Sequence, residues 1–214
     1  MEIKSRSLQN LKEIQEPPNY YPGKLIVIMN EYFNNQKSNE KITKNISYWE
    51  YYVSNYFNTN INYYLIMNQE GTQWVFKSGY EILPLIFLEK YSDNTSLVSV
   101  SLDGANEFIL NSSKEEGNKY ILKVNDLSKI EKYGDFFVMT NGILTVIFDK
   151  NLKILKYEFQ SLSHKIMNNN NYNDMTSLND FGITPQFSRT LVISEVLTEM
   201  NESINEFVDK FNNN

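Results

Sequence analysis

The chain has 214 residues, of which 41% are hydrophobic and 14% aromatic, and its 20 basic against 26 acidic side chains give a formal net charge of −6. This length is sufficient for one globular domain with a sizeable core. The absence of cysteine from the sequence excludes disulfides, thiolate metal sites and a cysteine nucleophile. The acidic balance argues against direct binding to duplex DNA, which requires lysine and arginine along the phosphates.

Residues 1–23 are predicted to form a flexible N-terminal arm. The arm begins with charged residues instead of the apolar run of a secretory signal. It ends in a cluster of three prolines and Gly23, which breaks regular structure. The globular domain is therefore expected over residues 24–167. Its longest apolar stretch, residues 82–88, is too short to span a bilayer, so we expect no membrane partner.

Two helices are predicted to open the domain. Apolar residues recur at helical spacing over residues 25–33 and again over residues 49–57. Ser47 is followed three residues later by Glu50, which is the spacing of a capping box. We therefore expect the second helix to be capped by Ser47.

A β-hairpin and a third helix are predicted next. Residues 62–67 and 72–77 are rich in aromatic and branched side chains and are separated by a short turn that contains Gly71. The third helix is predicted over residues 80–91. Pro84 is compatible with it in the first turn or at a kink.

The second half of the domain is predicted to be a meander of strands. Asn141-Gly142 is a strong hairpin signal, and Asp149-Lys150-Asn151 marks another turn, so the last three strands are predicted to pair antiparallel. The five predicted strands cover residues 96–102, 119–124, 135–140, 143–148 and 153–161.

This order of elements predicts the α+β class, with helices packed on one face of a curved antiparallel sheet. The succession fits the cone-shaped fold of the nuclear-transport-factor-2-like (NTF2-like) superfamily, which includes both pocket enzymes and binding modules without a pocket. A small-molecule-binding pocket enzyme is therefore the alternative to a binding module. Such an enzyme would use an Asp or Glu base and a hydrogen-bonding Tyr in an apolar cavity.

No catalytic, cofactor or metal site is predicted. His164 is the only histidine, so a Ser-His-Asp relay or a histidine-based metal site would require it. The nearby Ser161 and Ser163 are expected on the other face of the strand, because side chains alternate along a strand. We therefore interpret His164 as structural. The sequence also lacks glycine-rich phosphate loops and acidic clusters with metal-ligand spacing.

A polar linker and a long helix are predicted after the domain. Residues 168–182 are Asn-rich and of low complexity, which is typical of a linker. Thr184 followed by Pro185 predicts the start of a helix. The segment 183–214 is therefore predicted to be a separate, partner-binding helix.

This final helix carries a narrow apolar stripe, which we name the C-terminal stripe. Its residues are spaced 4, 3, 4, 3 and 4 apart, and five carboxylates lie between them. With Arg189 and Lys210, the segment 184–214 has a net charge of −3. The pattern favours docking against a basic partner helix or groove, and the alternative is packing on the chain's own domain. The stripe consists of Ile193, Leu197, Met200, Ile204, Phe207 and Phe211.

Five blocks spread over residues 25–208 resemble, in the same order, the blocks of one protein family. The blocks are Met29-Asn30-Glu31-Tyr32-Phe33; Tyr48-Trp49 with Tyr56-Phe57; Ile82-Leu83-Pro84 with Phe87; Phe148-Asp149 with Asn151-Leu152-Lys153-Ile154, Glu158-Phe159 and Ser163-His164; and Phe181-Gly182-Ile183-Thr184 with residues 189–200. The family they resemble is the LIM-domain-binding adaptors, which include the Chip and SEUSS proteins.

The resemblance implies a nuclear transcriptional cofactor without catalysis. Members of the family homodimerise through the globular domain and bring together distant DNA-bound complexes, while the following helix docks a single-stranded-DNA-binding-protein cofactor of the SSDP/SSBP type. On this chain the docking surface would be the C-terminal stripe, and transcription factors would be reached indirectly. Animal members also carry a basic nuclear-localisation stretch and a LIM-interaction segment further on, and neither occurs in these 214 residues. We expect the dimer surface on the apolar faces of the first two helices and on the last hairpin.

Overall fold

The computed structural model describes residues 20–37, 40–69, 71–91, 95–110, 117–134, 136–168 and 178–212, so most of the predicted arm and the middle of the predicted linker lie outside it. The helices are α1 (Lys24–Gln36), α2 (Glu40–Thr43), α3 (Ile46–Tyr56), α4 (Leu83–Lys90) and α5 (Pro185–Asn212). A 3-10 turn, Tyr80–Ile82, precedes α4. The strands are β1 (Phe57–Gln69), β2 (Thr72–Ser78), β3 (Thr95–Leu110), β4 (Lys119–Tyr133), β5 (Phe136–Phe148) and β6 (Ile154–Asn168).

The six strands form one curved, mixed sheet in the order β2-β1-β6-β5-β4-β3. The predicted α+β class, with helices packed on a curved sheet and a long C-terminal helix, is confirmed. The prediction of a wholly antiparallel sheet is wrong, because β1 pairs parallel with β6, with Tyr63 opposite Tyr157. Hairpin turns constrain only consecutive strands to run antiparallel, and β1 and β6 are far apart in the chain.

Strand β5 continues through Asn141 and Gly142, so the hairpin predicted there is wrong. A Cβ at position 142 would overlap the backbone oxygen of Gln160 and the ring of Phe159. The register of β5 and β6 also shifts between residues 141 and 142. The glycine therefore permits a close approach of β6 at a bulge and does not form a turn.

The predicted helix starts are partly confirmed. Pro84 lies in the first turn of α4. Thr184 caps α5, since its Oγ1 accepts the backbone N–H of Phe187 at 3.2 Å. The cap predicted at Ser47 is wrong, because Asn45 is the N-cap of α3 and its Oδ1 accepts the N–H of Ser47 at 3.0 Å. Among the described residues, no helix is both long and apolar enough to cross a membrane.

Helices α1 and α3 pack on one face of the sheet, which we name the inner face, and α4 packs against α3. Trp49 of α3 is fully buried and stacks on both Phe87 and Tyr91, with ring centroids 5.3 Å apart in each case. On the sheet, Tyr63 stacks on Tyr157 at 4.8 Å. The apolar faces of α1 and α3 are thus core, so the expectation that they form a dimer surface is wrong.

The start of α1 is fixed by a carboxylate from the edge strand β3. The N-cap residue Gly23 has no side chain to accept a hydrogen bond. Instead, Glu107 accepts the N–H of Gly23 at 3.0 Å through Oε2 and the N–H of Ile26 at 3.0 Å through Oε1. Its Oε2 also accepts the hydroxyl of Tyr20 at 3.1 Å. A negative charge at this position also suits the helix dipole.

We expect Glu107→Ala to destabilise the domain by about 1–2 kcal/mol, the usual cost of losing a helix cap. Urea denaturation at a fixed protein concentration measures the change. Glu107→Gln retains one acceptor oxygen and is expected to lose less. An unchanged midpoint for Glu107→Ala would show that the start of α1 is held by other contacts.

Candidate functional site

The loop that precedes α5 packs on the sheet. Ile183 is buried, and Gly182 lies directly against the ring of His164 on β6. The linker predicted over residues 168–182 therefore does not keep α5 separate from the domain.

His164 packs between this loop and the sheet. Its register partner is Thr140, and the register partner of Ser161 is Gly142, so Ser161 and His164 share the inner face. The expectation that Ser161 and His164 lie on opposite faces of the strand is therefore wrong, because the β-bulge adds one residue between them. The contact with Gly182 gives the ring a packing role.

The first half of α5 docks on β2 and α4 through one face. Phe187 and Leu191 form the apolar part of this face and are buried. Ser194 and Thr198 continue it one and two turns further, with 1% and 5% of their surface exposed. The docked face, with its spacing of 4, 3 and 4, is a second periodic pattern on the helix. The spacing of hydrophobic residues alone does not reveal this face, because half of its members are polar.

Hydrogen bonds hold the polar part of the docked face. The hydroxyl oxygens of Ser194 and Ser78 lie 3.1 Å apart, and the N–H of Gly79 donates to Thr198 Oγ1 at 3.2 Å. The two hydroxyls of α5 also donate to backbone oxygens of the helix itself, Ser194 to Leu191 at 2.7 Å and Thr198 to Ser194 at 2.8 Å, so they are hydrogen-bonded where they are buried.

An ion pair on the sheet side of α5 extends this contact. Lys77 Nζ lies 2.5 Å from Glu202 Oε1. The hydrogen bond to Glu202 raises the pKa of Lys77. Both side chains are substantially exposed, so the pair contributes little to stability and mainly orients the helix.

The C-terminal stripe faces away from the domain. The alternative that it packs on its own domain does not describe this structure, because a different face of α5 is docked. The side chain of Phe211 lies outside the described residues. The exposed fractions of the other members are Ile193 58%, Leu197 41%, Met200 54%, Ile204 56% and Phe207 70%.

The space between α1 and the inner face of the sheet holds little room for a ligand. It contains a cavity of about 20 Å³, lined by aromatic and aliphatic side chains together with Gln36, Lys90 and Lys129. That volume accommodates about one water molecule. This cavity is thus far too small for an organic substrate.

A buried carboxylate lies near this cavity, but it is held in an ion triad. Glu131 is 2% exposed, and its two oxygens lie 2.7 Å from Lys90 Nζ and 2.9 Å from Lys129 Nζ. Burial favours a higher pKa, but the two lysines outweigh it and lower the pKa of Glu131 to about 2. A carboxylate this acidic is a weak general base at neutral pH. The triad therefore serves the core of the domain.

We expect Glu131→Gln to destabilise the domain by about 3 kcal/mol at pH 7, since it leaves two buried lysines without their counter-charge. Because the folded pKa lies below the ordinary value of 4.5, the carboxylate stabilises the fold above about pH 4.5, and this contribution is lost as the pH falls toward 2. The difference between the variant and the unmodified protein should therefore shrink over that range in denaturation experiments.

Glu202→Gln is the control for this prediction. It removes an exposed ion pair and is expected to cost less than about 1 kcal/mol. Equal effects of the two substitutions would contradict the assignment of the triad to the core.

A family profile described as LIM-domain binding protein matches residues 27–167. The match covers most of the chain, so this chain belongs to the LIM-domain binding protein family, as the sequence blocks indicated. Membership supports an adaptor role. No curated protein matches the chain.

Two solved structures are similar to this chain. One is naphthalene 1,2-dioxygenase with indole bound in the active site, which is 7% identical, with a TM-score of 0.49 and coverage of 74% of this chain and 89% of that chain. The other is a putative Ca/calmodulin-dependent kinase II association domain from Exiguobacterium sibiricum, which is 10% identical, with a TM-score of 0.39 and coverage of 65% and 91%. Neither likeness transfers a function to this chain.

Proposed function

We propose that this protein is a non-enzymatic transcriptional cofactor of the nucleus. It homodimerises through its globular domain and docks a partner of the SSDP/SSBP type on α5, and in this way it bridges DNA-bound complexes that contain LIM-domain proteins. The family match supports the adaptor role, and the observation that carries the docking proposal is the exposure of the C-terminal stripe.

The exposure of the stripe is informative because the polarity of α5 is inverted beyond Leu191. The helix buries Ser194 and Thr198 against the domain and leaves Leu197 and Met200 in contact with solvent. Burial of a leucine or methionine side chain is favourable by about 1.5–3 kcal/mol, so this arrangement favours a partner that covers the outward face.

The charge of α5 indicates the chemistry of that partner. Glu199, which precedes Met200 of the stripe, is exposed, whereas Glu202 is paired with Lys77 on the sheet side. A partner helix or groove with an apolar centre and basic flanks would match both features. The helix has 28 residues and is therefore about 42 Å long, which gives it enough surface for several helical turns of contact.

The homodimer is tested by the mass of the isolated protein. We expect light scattering to give about 50 kDa, which is twice the chain mass of 25.2 kDa, at micromolar concentration. A mass of one chain at every concentration would contradict the dimeric adaptor.

The docking proposal is tested by Leu197→Glu combined with Met200→Glu. Both side chains are exposed, so the domain should stay folded, while binding of an SSDP/SSBP-type protein in calorimetry should weaken at least a hundredfold, because two charges enter an apolar contact.

The matched control combines Val27→Glu and Ile42→Glu. These residues are similarly exposed, at 41% and 46%, but lie on α1 and α2. The control should bind like the unmodified protein. If the α5 variant binds normally, the stripe is not the docking surface.

A further inference from the structure

We infer that a second copy of this chain packs on the outer face of the sheet, opposite the helices, with the twofold axis running along β5. The inference rests on the proposed homodimerisation and specifies its surface. The contact is formed by the β5–β6 hairpin and the neighbouring strand β4.

Strand β5 is mainly apolar on both faces. Val138, Leu144 and Val146 point to the inner face and are buried under the helices. Ile143 and Ile147, which are next to Leu144 and Val146 in the strand, point to the outer face. An antiparallel strand with one face in water normally alternates apolar with polar residues, whereas a strand covered on both sides is apolar throughout. The composition of β5 is therefore that of a strand with a second covering layer.

The apolar surface continues across the neighbouring strands. Ile147 lies beside Ile121 of β4, which in turn lies beside Phe108 of β3. Phe108 is 50% exposed. Toward the other end of β5, Met139 lies beside Ile130 of β4. Among the described residues, α1 and α3 lie on the inner face and α5 lies at the β2 edge, so no described helix covers this surface.

The charges on this face are arranged to suit a second copy. Lys123 of β4, Thr145 of β5 and Glu158 of β6 are register partners in one row, so a cation and an anion lie on opposite sides of β5. A twofold axis along β5 exchanges the two sides. It therefore sets Lys123 of each copy opposite Glu158 of the other, and the pair occurs twice.

Both charged groups remain able to form these contacts. Lys123 is exposed. Glu158 is paired with Lys156 within its own chain at 2.7 Å, and one third of its side chain is exposed. A carboxylate accepts several hydrogen bonds, so this pairing does not prevent a second one.

The same axis packs β5 of one copy against β5 of the other. Ile143 and Ile147 of one copy then meet the same residues of the other, which is the self-complementary contact that a twofold dimer requires. Lys156 lies in the row of Ile121 and Ile147, so it faces Ile121 of the second copy and can cover it with its aliphatic stem.

The size of the face suits a stable dimer. Strands lie about 4.8 Å apart, so the three contacting strands β4 to β6 are about 14 Å wide, and the 13 residues of β5 extend about 44 Å. The product is about 630 Å² per copy, which lies within the range of about 600–1,000 Å² that each partner contributes to a standard protein interface. Two sheets packed in this way lie about 10 Å apart.

The test is a reciprocal charge exchange in the full chain. In a dimer of Lys123→Glu, the introduced glutamate of each copy faces Glu158 of the other copy, so two pairs of like charges form. In a dimer of Glu158→Lys, the introduced lysine of each copy faces Lys123 of the other copy, with the same result. Each single variant should raise the dimer dissociation constant at least tenfold in sedimentation equilibrium. The double variant should return to within about threefold of the unmodified protein, because the pairs re-form with opposite polarity.

Mixing the two single variants gives a sharper readout. In a heterodimer of Lys123→Glu with Glu158→Lys, each introduced charge faces its opposite across the axis, so the mixture should dimerise more tightly than either variant alone. An effect within one chain would not be rescued by mixing. Ile143→Glu, at the centre of the contact, should produce a folded monomer by circular dichroism and light scattering.

The possible results separate the two proposals. If the unmodified chain is a monomer, homodimerisation and this interface are both overturned. If it is a dimer that none of the three substitutions weakens, homodimerisation stands and the outer face is not the interface. If Lys123→Glu weakens the dimer but neither mixing nor the double variant restores it, the proposed twofold arrangement is wrong.

Discussion

The aromatic layer between the helices and the inner face of the sheet is the contact on which the rest of the structure depends. Trp49 joins α3 to α4 by stacking between Phe87 and Tyr91, and Tyr63 stacks on Tyr157 across the parallel pair β1 and β6. Each such ring buries a large apolar area, and the stacked pairs add about 0.5–1.5 kcal/mol beyond it. The layer closes the core without any contribution from the described side chains of the C-terminal stripe, so these side chains and the outer face of the sheet are left for other contacts.

The docking of α5 uses one face of the helix for the domain and leaves another face for the proposed partner. Its first turns bury Phe187 and Leu191, but the next contacts are the hydroxyl groups of Ser194 and Thr198 against Ser78 and Gly79. Neutral hydrogen bonds of this kind contribute only about 0.5–1.5 kcal/mol each. They fix the rotation of the helix about its axis, because a rotation would break the contacts with Ser78 and Gly79. The domain thus determines which way the stripe points while contributing little to its burial.

The parts of the fold that depend on local patterns were predictable from the sequence. The start of α5 at Thr184 and Pro185 and the position of Pro84 in α4 depend on residues that are close in sequence, and so does the apolar spacing of the stripe. The exposure of the stripe was one of two alternatives that the sequence left open. The failures involve contacts between segments that are distant in sequence. Asn141-Gly142 has the composition of a hairpin turn, but glycine is needed there because β6 approaches closely. The parallel pairing of β1 with β6 and the capping of α1 by Glu107 also join residues far apart in the chain. The polar docked face of α5 was missed for the same reason, since Ser194 becomes a packing residue only when Ser78 lies opposite.

The positions of the two proposed surfaces bear directly on the proposed bridging function. The outer-face contact is centred on β5, whereas α5 packs at the β2 edge, three strands away. Strand spacing places each α5 about 14 Å from the twofold axis, on opposite sides of the dimer. The stripe therefore stays accessible when two copies associate, and the dimer presents two separate docking helices. Two linked sites of this kind raise the effective concentration of the second binding event, so a dimer holds a bivalent complex more tightly than either site alone. An adaptor that bridges distant complexes requires this separation, because a partner that competed with the second copy would dissolve the bridge as it bound.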